Sequence, residues 1–317
     1  MSDVPTPGSM IKLGPGNEFD AIRSMAQRWG ERAQGIGDDA ALLDIPEGHR
    51  LVVSIDASIE NHHFRRGWLE SREIGWRAAA SALSDLAAMG ASAIGVLMAA
   101  GVPQSWRGEL AAIADGVGDA ADSVGAKVLG GDTSNATELS IAVTVLGAAQ
   151  RAIGRGGAKP GDHVYVTGSL GGPMSALRVL QRGAQPDPTQ RARFAHPEPR
   201  IREGQWLAAA GATAMIDISD GLVADAAHLA AASGARFMID LERVPVMPGI
   251  DPRHAAQSGE EYELLLTSST PLDVAAFAAQ FPAGLTEIGR VDAGSGQVEA
   301  RFGGRLISLD AGHDHFA

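Results

Sequence analysis

The chain has 317 residues, no cysteine, 40 glycines, 45% hydrophobic residues and a formal net charge of −12. The missing thiols exclude disulfides, zinc–thiolate sites, iron–sulfur clusters and cysteine nucleophiles, and the negative balance argues against nucleic acid or an anionic membrane as partner. The length suits two domains, since one domain commonly holds about 100–200 residues.

Residues 1–16 are rich in Pro and Gly and lack the basic-then-apolar pattern of a signal peptide, so they predict a flexible tail. Helices are predicted over 18–29, 70–89 and 105–124, and strands over 51–56, 93–100, 127–129 and 140–146. The longest apolar run, 93–102, is shorter than the ~20 residues that span a bilayer. A cytoplasmic protein fits these features. Segment 151–161 holds four glycines, one proline and three basic residues, which places a domain boundary there. The expected division is thus 17–150 and 151–317. Beyond it, strands are predicted over 163–167, 214–217, 237–240, 262–267 and 286–291. Helices are predicted over 172–181, 199–210 and 222–232, with a flexible connection over 183–190. Apolar β-branched runs alternating with Ala-rich helical runs give a mixed α/β class.

Aspartates recur at the ends of apolar strands. Gly35-Ile-Gly-Asp-Asp39 is a glycine turn with two carboxylates, and Val52-Val-Ser-Ile-Asp56 reads as a buried strand ending in an acid. Leu129-Gly-Gly-Asp132 reads as a strand, a tight turn and an acid, while Asp217 and Asp220 stand where a strand gives way to a helix. Ligands of open α/β sheets gather at the carboxyl ends of strands. Oxygen donors without Cys select hard cations such as Mg²⁺. The competing reading of each Asp is a turn former or helix N-cap, and Asp220 could cap the helix that starts at Leu222. Asp85, on the helix over 70–89, reads by itself as solvated surface. The chain has no GxxxxGK[ST], GxGxxG, HExxH or GxSxG motif. The Gly154-Arg-Gly-Gly-Ala-Lys-Pro160 segment superficially looks like a phosphate loop, but Pro160 would have to open a helix at once.

Nine segments occur together in order: Gly37-Asp-Asp-Ala-Ala, Ser54-Ile-Asp56, Asn61-His-His-Phe64, Leu83-Ser-Asp-Leu-Ala-Ala-Met-Gly90, Gly130-Gly-Asp-Thr133, Gly157-Ala-Lys-Pro-Gly-Asp162, Val166-Thr-Gly168, Asp217-Ile-Ser-Asp-Gly-Leu222 and Ser258-Gly-Glu-Glu-Tyr-Glu-Leu264. This ordered set resembles the thiamine-monophosphate kinases, within the superfamily of aminoimidazole ribonucleotide synthetase. The resemblance implies a two-domain fold of that superfamily, with an N-terminal sheet that forms a barrel across a homodimer and a C-terminal α+β domain. It implies ATP as co-substrate, thiamine monophosphate as acceptor and several Mg²⁺ ions. Asp39, Ser54, Asp56, Asp85, Asp132, Asp217 and Asp220 fall on its metal positions. Gly131, Asp132, Arg155 and Ser219 fall on ATP positions, and His63 and Glu260 on acceptor positions. Asp132, Asp220 and Arg155 would carry the catalysis.

The chain departs from the family pattern in three places. Glu261 stands where the family usually has Asp, Ala82 where it often has Asn, and Leu309-Asp-Ala-Gly-His-Asp-His-Phe316 where it tends to place ring-stacking aromatics. His313 is one substitute for the stacking partner. Two alternatives stay open: a purine-biosynthesis ligase of the same superfamily, and a non-catalytic nucleotide-binding protein. Phosphoryl transfer onto a phosphate needs no strong base. ATP and a phosphomonoester carry about −5 to −6 together, given a phosphate second pKa near 6. Carboxylate-held Mg²⁺ ions that bridge such anions explain a site rich in Asp and poor in Lys.

Overall fold

The computed structural model describes residues 24–34, 36 and 40–308. The described chain separates into two compact units. One runs through Leu86 and resumes over Ser92–Gln150. The other comprises Ala87–Ala91 and the chain from Arg151 onward.

The first unit is built on four strands: β1 (Arg50–Ile59), β2 (Ser92–Val102), β3 (Lys127–Asn135) and β4 (Ser140–Ala149). Their order is β1-β4-β2-β3, with β4 antiparallel to both its neighbours and β2 parallel to β3. The sheet is open among the described residues. Helices α1 (Ser71–Ala88) and α2 (Leu110–Ser123) accompany it, and residues 24–29 are also helical. Leu110, Ile113, Ala114, Val117, Ala120 and Ala121 recur at helical spacing on the buried side of α2. Where α1 meets α2 the backbones touch. A Cβ at Gly75 would lie 1.9 Å from the Ile113 carbonyl oxygen, and one at Gly116 would lie 1.9 Å from that of Arg72.

Two sequence expectations are corrected in this unit. β1 is not a buried strand ending at Asp56. It runs on to Ile59, and Leu51, Val53 and Ile55 on its outward side are 50%, 55% and 65% exposed. Gly130 and Gly131 do not form a turn either. β3 passes straight through them, and the pairing slips between Val96 and Leu97, so that Leu129 bulges out. Gly130 has φ +151°, and a Cβ on Gly131 would meet the Met98 carbonyl at 2.0 Å. Two glycines here let a strand take the bulge that a side chain would block.

The second unit holds a seven-stranded mixed sheet in the order β11-β10-β7-β9-β5-β8-β6. Its strands are β5 (His163–Thr167), β6 (Ala212–Asp217), β7 (Ala235–Asp240), β8 (Leu264–Ser268), β9 (Leu285–Ala293), β10 (Val298–Phe302) and β11 (Arg305–Ile307). The helices are α3 (Gly172–Gln181), α4 (Pro188–Ala195), α5 (Ile201–Ala209), α6 (Leu222–Ser233), the one-turn α7 (Pro252–Ala255) and α8 (Val274–Gln280). Its core gathers Val164, Val166, Ile216, Leu229, Phe237, Ile239, Leu265 and Ile288 from strands and helix alike. Part of the expected flexible connection is the helix α4. Asp187 caps it by accepting from the Thr189 and Gln190 N–H groups, and Pro188 supplies a preset first residue. The Gly154–Pro160 segment leads into a strand and not into a helix, so it is no phosphate loop. There the Asp162 carboxylate accepts from the Lys159 N–H and the Thr213 hydroxyl. No described helix is long and apolar enough to cross a membrane.

Candidate active site

In the first unit one pair of predicted ligands joins β1 to α1. Ser54 and Asp56 stand two apart on β1 and so share a side of the strand. The Ser54 hydroxyl donates to the Asp85 carboxylate at 2.5 Å. Asp85 is therefore not idle solvated surface: it is half-buried on α1 and tied to the strand. Asp56 belongs to a row that crosses the sheet through Val143, Met98 and Gly131. Asp132 is exposed and lies one register position further, opposite Ala99. Asp39, the remaining predicted metal ligand in this half, lies outside the described residues, as does His313.

His63 is set by a turn at the end of β1. Asn61 adopts φ +66°, and the Ile59 N–H donates to His63 Nδ1 at 3.1 Å. That bond makes Nε2 the donor of the neutral ring. The Arg77 guanidinium donates to the His63 carbonyl at 2.9 Å and holds the turn against α1.

In the second unit Asp217 closes β6, buried at 5% exposure, and Ser219 and Asp220 follow before α6 begins. Asp220 does not cap that helix. The N-cap is Gly221, with φ +119° and no side-chain cap bond. The capping is done by Asp225, whose Oδ2 accepts from the N–H groups of Ser219, Asp220 and Gly221 at 3.0–3.1 Å. Burial, then the charge of Asp217, pushes Asp225 up to about 7 against those bonds. Sequence reading missed Asp225 because a first-turn acid usually faces solvent. Asp220, Asp225 and His228 can also bring one ligand atom each within 4.8 Å of one another. With Oδ2 already serving three backbone donors, Asp225 acts first as the frame that sets the 219–221 backbone. Arg155 is exposed on the loop before β5.

Segment 260–263, on which the predicted acceptor residue Glu260 lies, pairs with this same backbone. The Glu260 N–H donates to the Ser219 carbonyl at 2.7 Å, Tyr262 N–H to Ile218 at 2.9 Å, and Ile218 N–H to Glu263 at 2.8 Å. Glu260 and Tyr262 both sit in the left-handed region, with φ +59° and +54°. Such a conformation costs a non-glycine residue about 1–2 kcal/mol, so the surroundings must enforce it. Two buried acids lie beside these positions. Glu263 is fully buried, its carboxylate bridged by Arg200 at 2.7 and 3.0 Å, by Arg193 at 2.8 Å and by the Thr167 hydroxyl at 2.7 Å. Burial alone would raise Glu263, but the two guanidiniums hold it below the ordinary glutamate value. Glu261 is 2% exposed and accepts from the Gly171 N–H at 2.5 Å. Its other oxygen has no hydrogen-bond partner among the described residues, and Arg193 approaches it at 3.5 Å. Burial pushes Glu261 up to about 7, opposed by Arg193, the Ser258 hydroxyl and the Gly171 N–H.

An open four-stranded unit, a seven-stranded α/β unit and acids at a bulged strand and a strand–helix junction define a class. Residues 37–149 match the AIR synthase related protein N-terminal domain, and residues 159–300 match the corresponding C-terminal domain. The thiamine-monophosphate kinase of Salmonella typhimurium is 35% identical over 319 residues, covering 94% of this chain and 96% of that protein. The crystal structure of the thiamine-monophosphate kinase of Stenotrophomonas maltophilia is 34% identical, covers 89% of this chain and 96% of its own, and superposes with a TM-score of 0.79. AaThiL complexed with AMPPCP and TMP is 29% identical, with a TM-score of 0.75 over 96% of this chain and 99% of its own. Within the AIR synthase related proteins, this chain belongs to the thiamine-monophosphate kinase family.

Proposed function

We propose that the chain transfers the γ-phosphoryl group of ATP to thiamine monophosphate, giving thiamine diphosphate and ADP. The observation that carries this is likeness over nearly the whole chain to kinases of that specificity, one of them solved with AMPPCP and TMP. A phosphate oxygen of the acceptor attacks the γ-phosphorus, the bridging bond to the β-phosphate breaks, and ADP leaves with the bond pair. The acceptor oxygen is already anionic, so no strong base is required of the protein.

Ser54, Asp56 and Asp85 in the first unit, and Asp217 and Asp220 in the second, offer only oxygen donors. Two of these donors lie 2.5 Å apart, as Ser54 Oγ and Asp85 Oδ2. Each of the two groups, taken by itself, fits Mg²⁺, and Asp39 and Asp132 complete the first in our reading. Bound Mg²⁺ supplies charge neutralisation between two anionic substrates. Arg155 presents a fork for phosphate oxygens. Gly131 lets the chain approach the nucleotide, and the Ser219 backbone is held ready by Asp225. His63, through Nε2–H, and Glu260 contact the acceptor. Asp132, Asp220 and Arg155 are the residues assigned to the reacting phosphates.

We assign residues 17–150 to a nucleotide- and metal-binding domain, 151–317 to an α+β domain and 1–16 to a tail. The protein is read as cytoplasmic and homodimeric. Support for the dimer is the apolar row Leu51, Val53 and Ile55, exposed where an unpartnered antiparallel strand would be polar; a second copy laid on it would close the sheet into a barrel. The deciding experiment is ADP release coupled to a reporter, with thiamine monophosphate set against aminoimidazole precursors. Turnover with the former alone is expected. Turnover with the latter establishes the ligase reading, and ATP binding without turnover establishes a non-catalytic protein.

A further inference from the structure

We propose that Glu261 is a positioning residue whose buried carboxylate, bonded to the Gly171 N–H, fixes the backbone of Glu260 so that the Glu260 side chain meets the acceptor. This rests on the reading that Glu260 contacts thiamine monophosphate. Three observations lead to it.

First, Glu261 lies between two residues held at positive φ, a pattern that a loop does not keep without an anchor. Second, the anchor reaches across 90 residues to Gly171, the N-cap of α3. Gly171 has φ +105°, and a Cβ there would lie 2.6 Å from Ile250 and 3.3 Å from Ala255, so this docking point is itself fixed. Third, the backbone on either side is zipped onto residues 218–219. A shift at 261 therefore moves Glu260 first. One oxygen of Glu261 is buried without a hydrogen bond among the described residues and faces the Arg193 guanidinium at 3.5 Å. A side chain serving packing alone would be better replaced by an apolar one.

The test is steady-state kinetics, with thermal melting, on the full chain and on Glu260→Ala, Glu261→Ala, Glu261→Gln and the Glu260→Ala/Glu261→Ala double variant. Glu261→Ala should raise the KM for thiamine monophosphate about tenfold and leave the KM for ATP within about twofold. Gln keeps an oxygen for the Gly171 N–H, so Glu261→Gln should stay within about threefold of the unaltered chain. Once Glu260 is Ala, the further change Glu261→Ala should leave the acceptor KM unmoved, because nothing remains to be aimed. Should Glu261→Ala not fold, Glu261→Asp takes its place. It withdraws the carboxylate by about 1.5 Å, one carbon–carbon bond, and should raise the acceptor KM about three- to tenfold.

Additive effects of the two alanines overturn the proposal, as do equal losses for both substrates or a Gln variant no better than Ala. Absence of thiamine monophosphate turnover in the unaltered chain overturns the functional reading, and this proposal with it. Normal turnover together with additivity overturns the proposal alone.

Discussion

Asp132 is exposed on β3, next to the bulge that Gly130 and Gly131 allow. Its carboxylate supports no core, so Asp132→Asn should keep the melting temperature. The same change should cost at least ~100-fold in turnover, the ~3 kcal/mol that one well-placed electrostatic contact provides. Turnover near normal would remove Asp132 from the machinery. Glu261 has the opposite character, being buried and tied to stability. Its folded value is about 7 against 4.5 for an ordinary glutamate, raised chiefly by burial. The folded chain thus holds a proton that the unfolded chain has released between those values. The contribution is full below pH 4.5 and is lost as pH climbs through 7, in total on the order of 3 kcal/mol. Gln does not titrate. The melting temperature of Glu261→Gln relative to the unaltered chain should therefore rise from about pH 5 to about pH 8; a difference that stays flat with pH would refute it.

At the scale of elements, the Arg193–Glu263–Arg200 cluster ties α4 and the start of α5 to the strand β8 entry. Breaking a buried pair from one side strands a charge. Arg200→Ala should accordingly cost about 3–5 kcal/mol, read as a lower urea midpoint with unchanged slope. A midpoint shift below ~1 kcal/mol would mean that Arg193 alone satisfies Glu263. Long β-branched runs made most of the strands legible in the sequence, and β5 and α3 have the bounds expected from it. What it concealed was short or polar. α4 buries only Phe194 and Ala195, so its amphipathic period is weak, although Asp187-Pro188 announces its start. β10 and β11 carry five and three residues, too few for a period to show. The candidate acids stood in plain view in the sequence, but their supports did not. The reach of Glu261 to Gly171 leaves no local trace, because it depends on chain folded back from 90 residues away; Asp225 takes its donors from only four to six residues before it, and in the sequence it looks like any first-turn acid.

For the molecule as a whole, two consequences follow from the surface. Val53→Asp places a charge in the exposed apolar row of β1; if the proposed dimer forms there, the sedimentation coefficient should fall from that of a dimer to that of a monomer, and no shift would place the contact elsewhere or remove it. With a net charge of −12 and anionic substrates, the proposed mechanism calls for more cation than MgATP carries. At fixed MgATP, the initial rate should keep rising as free Mg²⁺ increases. Saturation once all ATP is MgATP would show that one ion suffices.

The meeting of α1 and α2 at Gly75 and Gly116 bears on how the gene can vary. Every missense change of a glycine codon adds at least one carbon, and at these two positions that carbon falls 1.9 Å from a carbonyl oxygen of the facing helix. Neither helix can step back without opening the apolar layer that α2 buries. Drift therefore meets its stiffest resistance in this unit at codons 75 and 116, where any missense change must first force two packed backbones apart.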